Sequence, residues 1–224
     1  SCSCPDDLGL MTSAWQAGGP MSVAAAPTLT GRHVQLEQLR PEFAEELTAA
    51  GNEDRSTYGW TAVPPTLEGM QRYITGLLAD QQARTAVPFA QRRLSDGALV
   101  GCTRYLRLEW WGGGALPDEV EIGGTWLSAS SQRTAINTEA KYLLLSHAFD
   151  AWDVHRVAVC TDARNTQSQT AILRIGATFE GILRSHRGSY APGEENTVAR
   201  DSAMYSIIRG DWPAIKSSLE GRLR

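Results

Sequence analysis

Lysine is almost absent from this chain: Lys141 and Lys216 are its only examples among 21 basic residues, and the rest are arginine. Basic residues are also outnumbered by 25 acidic ones, for a net charge of −4 and a pI near 5.6. That balance offers no cationic footprint for nucleic-acid phosphates. Cysteine is sparse, at positions 2, 4, 102 and 160. The terminal C-S-C has no second ligand pair to complete a zinc site, so neither a metal nor a disulfide is expected. Cys102 and Cys160 fall inside apolar, strand-like runs and read as small buried hydrophobes in a reducing compartment. His33, His147, His155 and His186 show no metal-ligand spacing. No window holds the roughly 20 apolar residues of a membrane helix, so a soluble, cytoplasmic protein is expected, without membrane or nucleic-acid partners. The chain also lacks the glycine-rich phosphate loops that mark nucleotide-binding proteins.

What is present fits one ordinary globular domain: 224 residues, 42% of them hydrophobic. Residues 1–27 carry no Lys or Arg, include Asp6 and Asp7, and are rich in Ser, Ala, Gly and Pro. They do not match a signal peptide and read as a flexible leader, with Met21 a natural start, ahead of a single domain over 28–224. From there the pattern predicts a strand at 32–39, then a helix over PEFAEELTAAG that stops at Gly51. A second helix, 67–81, places Leu67, Met70, Ile74, Leu77 and Leu78 on one face. Strands follow at 87–94, 99–108 and 119–127, the first two joined by a hairpin at Asp96-Gly97. A helix beginning near Asn137 puts Ala140, Leu143, Leu144, Ala148 and Trp152 on one stripe and leads to a strand at 156–162. A strand, helix and strand in about 40 residues favour a parallel pair. A helix at 165–175 and two more strands, TFEGILRSH and SAMYSII, complete a mixed sheet flanked by helices.

The stretch SSQRTAINTEAK, 130–141, precedes the buried helix and has no carboxylate before Glu139. A helix N-terminus offers unpaired N–H groups and a partial positive charge, and so attracts phosphate. Thr134, Asn137 and Thr138 can bond oxygens there and Arg133 adds a full charge. By residues alone, a well-capped helix with a spare arginine is an equal reading.

Gln132, Arg133, Thr134, Ala135, Ile136 and Asn137 resemble the pyrophosphate loop of the GNAT acyltransferase superfamily, Q/R-x-x-G-x-G/A, without its glycines. EIGGTWL, RTAINTEAK, LLLSHAFD, RVAVCTDARNTQS, LRIGATFEGILRSH and RDSAMYSI, in that order and spacing, resemble its RimJ/RimL-like branch over residues 32 to about 215. The resemblance implies an α+β fold with a mixed, mostly antiparallel sheet of about seven strands, splayed between the fourth and fifth, here 119–128 and 156–162. It implies acetyl-CoA as co-substrate, its pantetheine against the backbone of Trp126, Leu127 and Ser128 and its diphosphate at residues 132–138. It further implies Glu121 as the base, with Glu119 in reserve on the same face, and a backbone N–H near Leu127 for the oxyanion. By residues alone Glu121 reads equally as a partner of an arginine such as Arg104. Where many relatives carry a tyrosine acid, seven residues after Asn165, this chain has Ile172. Ser168 stands where the branch carries serine and could bond the sulfur, or bond back to the Asn165 cap.

An acceptor pocket is expected from Tyr58, Trp60 and Trp111, with segment 187–199 and, less directly, His186. The partner implied is a small-molecule or peptide amine, and a homodimer is left open. Two functions follow: an N-acetyltransferase acting by direct attack in a ternary complex, or a non-catalytic acyl-CoA-binding or sensing module that kept the fold and lost the acid.

Overall fold

A computed structural model describes residues 27–191, 193–194 and 197–223. The expected leader lies outside the described residues except for Pro27, as do Cys2, Cys4 and Met21. The chain folds into one eight-stranded sheet, ordered β1-β2-β3-β4-β5-β6-β8-β7. The strands are β1 (Leu29–Thr30), β2 (Val34–Gln38), β3 (Ala86–Arg93), β4 (Leu99–Glu109), β5 (Glu119–Leu127), β6 (Arg156–Asp162), β7 (Thr178–Gly188) and β8 (Ala199–Ile208). Every neighbouring pair is antiparallel except β5 and β6. The extra strand relative to the sequence reading is β1, two residues too short to show a period.

The helices are α1 (Ala44–Gly51), α2 (Leu67–Gln82), α3 (Ala135–Ser146), α4 (Thr166–Arg174) and α5 (Trp212–Leu223). Gly51 proves to be the last residue of α1 rather than its cap, which is Asn52. Thr66 caps α2 by accepting from Gly69 N–H. Leu67, expected on the inner face of α2, is exposed, while Met70, Ile74 and Leu77 are buried. α5 was not foreseen. After Ser146 the α3 helix continues as one π-helical turn, His147–Ala151.

Two cores form, one on each side of the sheet. Ile136, Ala140, Leu144 and Ala148 pack with Val120, Ile122, Leu127, Val157 and Val159. On the other side α1 and α2 supply Leu47, Met70, Ile74 and Leu77, which meet Ala90, Leu99, Cys102 and Trp126. A side chain on β5 therefore belongs to the α3 face or to the α1/α2 face, and this choice positions the site.

At Gly101 β4 and β5 come unusually close: a Cβ there would fall 2.0 Å from Trp126 O and 3.0 Å from Leu127 Cα. Both obstacles are backbone and cannot rotate away. Gly101→Ala is expected to destabilise the fold by about 3 kcal/mol, read as a lower urea midpoint at unchanged slope.

Candidate active site

The parallel β5–β6 ladder is short. It pairs Glu119 with Arg156, Val120 with Val157 and Glu121 with Ala158, and then stops, although β5 runs on to Leu127 and β6 to Asp162. Past Glu121, β5 is held only by β4, and past Ala158, β6 only by β8. The strands part as expected. A cleft of about 940 Å³ opens there, walled by β5, β6, the starts of α3 and α4, and the loop around Tyr58.

The backbone on its β5 wall differs from the expectation. Ser128 N–H is turned onto Val100 O at 2.7 Å, and Trp126 O accepts from Gln91 Nε2 at 3.3 Å. Both groups thus face β4. By antiparallel alternation the N–H and C=O of Leu127 face the gap. Of the expected trio, only Leu127 presents backbone there. Its carbonyl already accepts from Tyr58 Oη and from Gln132 Nε2, each at 3.0 Å. Gln132 also donates to Thr57 Oγ1, tying the Tyr58 loop to the strand end.

α3 begins at Ala135, two residues earlier than expected, because Thr134 is its cap. Thr134 Oγ1 accepts from Ile136 N–H at 3.3 Å, so that amide is not a free donor. Ile136 itself lies in the core. Arg133, with φ of +60°, turns the chain into the helix. Arg133, Thr134, Asn137 and Thr138 all line the cleft, and Asn137 Oδ1 is buried without a protein partner. Glu139, the acid that would repel an anion, points elsewhere: it accepts from Arg32, His33 and Val34 N–H at 2.8, 2.6 and 2.9 Å.

Asn165 caps α4 by accepting from Ser168 N–H at 3.0 Å, and both residues line the cleft with Ile172. The serine's link to the cap runs through its amide, not its hydroxyl. Glu121 is only 4% exposed. Its oxygens accept from Arg187 Nη1 and Nη2 at 2.8 and 2.6 Å, and Arg107 lies 3.6 Å away. The partner is thus not Arg104, which donates to Tyr73 Oη. Cys160 Sγ donates to Glu121 Oε1 at 3.4 Å, and burial pushes that thiol up to about 11. Cys160 is half-buried against the cleft rather than a core hydrophobe, whereas Cys102 is buried as expected. Glu119 is held by Arg156 at 3.1 Å and does not line the cleft.

Tyr58 and Trp60 belong to the cleft wall, but Trp111 does not. Trp111 is 59% exposed and stacks on His155 with ring centroids 5.8 Å apart. Its loop leads away because Asp118 pins the amides of Trp111 and Gly112. His186 is half-buried and does not line the cleft either.

The sequence reading passed over Lys141. It is 8% exposed, faces the cleft from the second turn of α3, and donates to Thr125 Oγ1 at 2.7 Å. Thr125 in turn shares a 2.8 Å hydrogen bond with Thr103. Desolvation pushes the Lys141 ammonium down from 10.5 to about 7. The available signal was a lysine beside Ala140 on the apolar stripe of a chain with only two lysines.

An acetyltransferase (GNAT) domain family matches residues 33–178. YdaF of Bacillus subtilis (strain 168), provisionally named a ribosomal N-acetyltransferase, is 25% identical over 187 residues, 82% of this chain and 96% of its own. A provisionally named acetyltransferase of T. thermophilus is 32% identical, with a TM-score of 0.75 over 89% of this chain and 99% of that one. RimJ of Mycobacterium smegmatis, solved with CoA-disulfide, shares the fold at 22% identity and a TM-score of 0.73, over 90% of this chain and 98% of that one. The chain belongs to the GNAT acetyltransferase family. No helix among the described residues is long and apolar enough to cross a membrane.

Proposed function

We propose that this protein transfers an acetyl group from acetyl-CoA to a primary amine, on a small molecule, a protein N-terminus or a lysine, with both substrates bound together. The observation that supports this most directly is the parting of β5 and β6 beside the capped start of α3. The residues present fit the co-substrate: Asn137 Oδ1 lacks a partner, Leu127 N–H faces the gap, and Arg133 stands at the helix start. Bound acetyl-CoA supplies an activated thioester and a diphosphate anion. Arg133, Thr134, Asn137 and Thr138 hold the anion with the helix terminus. Leu127 N–H is a preorganised donor for charge developing on the acetyl oxygen.

Lys141 fills the part that Ile172 cannot. Its Nζ holds a proton in a dry wall and, with a pKa near 7, can release it to a departing sulfur and recover one from the attacking amine. Ser168 can orient the thioester from the α4 side. Glu121 was expected to be the base, but in the observed arrangement its oxygens are occupied and it positions Arg187. A retained proton donor speaks against the purely binding module.

Thiol release from acetyl-CoA with a broad amine panel tests the reading: CoA binding without amine-dependent turnover on any member would overturn it. A second result concerns the anion grip. Arg133→Gln with Asn137→Ala is expected to weaken CoA binding about 10- to 100-fold, the scale of one or two charge-assisted hydrogen bonds. Tm should change by only a few degrees, since Asn137 Oδ1 has no partner to lose.

A further inference from the structure

The cleft wall on the α1/α2 side carries more positive charge than a plain amine acceptor needs. Arg104 on β4, Arg187 on β7 and Arg200 on β8 line it, and Arg107 lies near. Glu121 satisfies Arg187 and approaches Arg107. Among the described residues, two guanidiniums remain without a directly bonded carboxylate. Arg104 has Tyr73 Oη at 3.3 Å. Arg200 is 9% exposed, its Nη2 reaches only Cys160 Sγ at 3.9 Å, its Nε is buried with no partner, and it lies 5.8 Å from the Tyr190 ring. Nearby acids do not pair with them directly: Asp162, just off the wall, is bound to Arg164 and feels Arg200 only as a more distant charge, and Asp80, on the wall, forms no ion pair among the described residues.

A buried guanidinium without a counter-charge is costly, and such groups are kept where an anion completes them. Overall charge does not explain the cluster, since the chain as a whole is at −4. The co-substrate's diphosphate does not explain it either. Its grip is at the start of α3, which packs with Ile122 and Leu127, whereas Arg104 meets Tyr73 of α2 and so lies on the other face. Planar guanidiniums match the paired oxygens of a carboxylate or phosphate.

We propose that the acetyl acceptor is an anionic amine, whose carboxylate or phosphate is received by Arg104 and Arg200. This rests on the acetyl-transfer reading above and narrows its substrate class.

The test is calorimetry on the full chain, with and without CoA, using three product mimics amidated at the α-carboxyl: N-acetylglutamate α-amide, N-acetyl-O-phosphoserine amide and the neutral N-acetylglutamine amide. At least one anionic mimic should bind 10-fold or more tighter than the neutral one, and the tighter of the two identifies the anion. Arg104→Gln and Arg200→Gln should each remove most of that preference, and Arg200→Lys should keep part of it. Arg200→Gln should leave Tm within a few degrees of wild type, because no carboxylate among the described residues is hydrogen-bonded to it. Equal binding of neutral and anionic mimics, or a preference unchanged in both Gln variants, would overturn the proposal. An intact, arginine-dependent preference with no thiol release for any amine would instead keep the anion subsite and overturn only the acetyl-transfer reading.

Discussion

Lys141→Met should lower kcat by about 100-fold or more, the usual contribution of a placed proton donor, while making the protein more stable. Both halves come from one fact, an ammonium held in a dry wall with Thr125 as its hydrogen-bond partner. Charged and titratable groups on the surrounding elements are engaged elsewhere: Arg104 with Tyr73, Glu121 with Arg187, Cys160 with Glu121, and Glu139 with the amides of residues 32–34. A shift from 10.5 to about 7 represents on the order of 5 kcal/mol of burial penalty. Below pH 7 the amine is charged in folded and unfolded chains alike, and the penalty is full. Between about 7 and 10.5 the unfolded chain binds more protons, so wild-type stability should rise with pH through that window. The methionine variant should lack this rise and should melt roughly 5 °C or more higher near neutral pH. Denaturation at pH 6 and pH 10 checks the first point. In kinetics, kcat/KM of the wild type should fall on the alkaline side with a pKa near 7, and the variant should lose that limb. A variant with wild-type kcat and an unchanged limb would remove Lys141 from the chemistry and leave it a structural oddity.

Glu139→Ala should act in the opposite direction, costing about 3–5 kcal/mol and roughly 10 °C in Tm. Its carboxylate accepts from three successive amides, Arg32, His33 and Val34, across more than a hundred residues of sequence. Alanine leaves the buried Val34 amide and the part-buried Arg32 and His33 amides without their acceptor. Glu139→Gln retains one acceptor oxygen and should fall between. Because Glu139 sits just after the first turn of α3, freeing the β1–β2 corner also loosens the helix start. The KM for acetyl-CoA should therefore rise together with the loss of stability, unlike in the Arg133 and Asn137 pair. A Tm within a degree or two of wild type would refute the clamp.

These two residues show where sequence patterns stop. Elements whose signal is local were visible in advance: the 3.6-residue stripe of α3, the alternation of β3 to β6, the hairpin near Gly97 and the Asn165 cap. The parallel β5–β6 crossover followed from chain length and handedness. Resemblance of the 130–141 stretch pointed to the start of α3 as the proposed anion grip, though not to the helix register, because Thr134 and not a residue nearer Asn137 took the cap. α5 escaped because Trp212 and Leu219 do not make a regular stripe on their own.

Pairings between distant segments needed the fold. Nothing local in the chain tells that Glu121 meets Arg187 across the sheet rather than Arg104 one strand over, that Arg200 hydrogen-bonds no carboxylate among the described residues, or that Trp111 is led outward by Asp118. Helix and strand periodicity is written within a few residues of sequence, so side-chain pattern alone decides which segments curl and which extend. Burial, and with it the protonation of Lys141 and the partner of each charge, depends on which surfaces close over one another, and only the packed sheet and helices settle that.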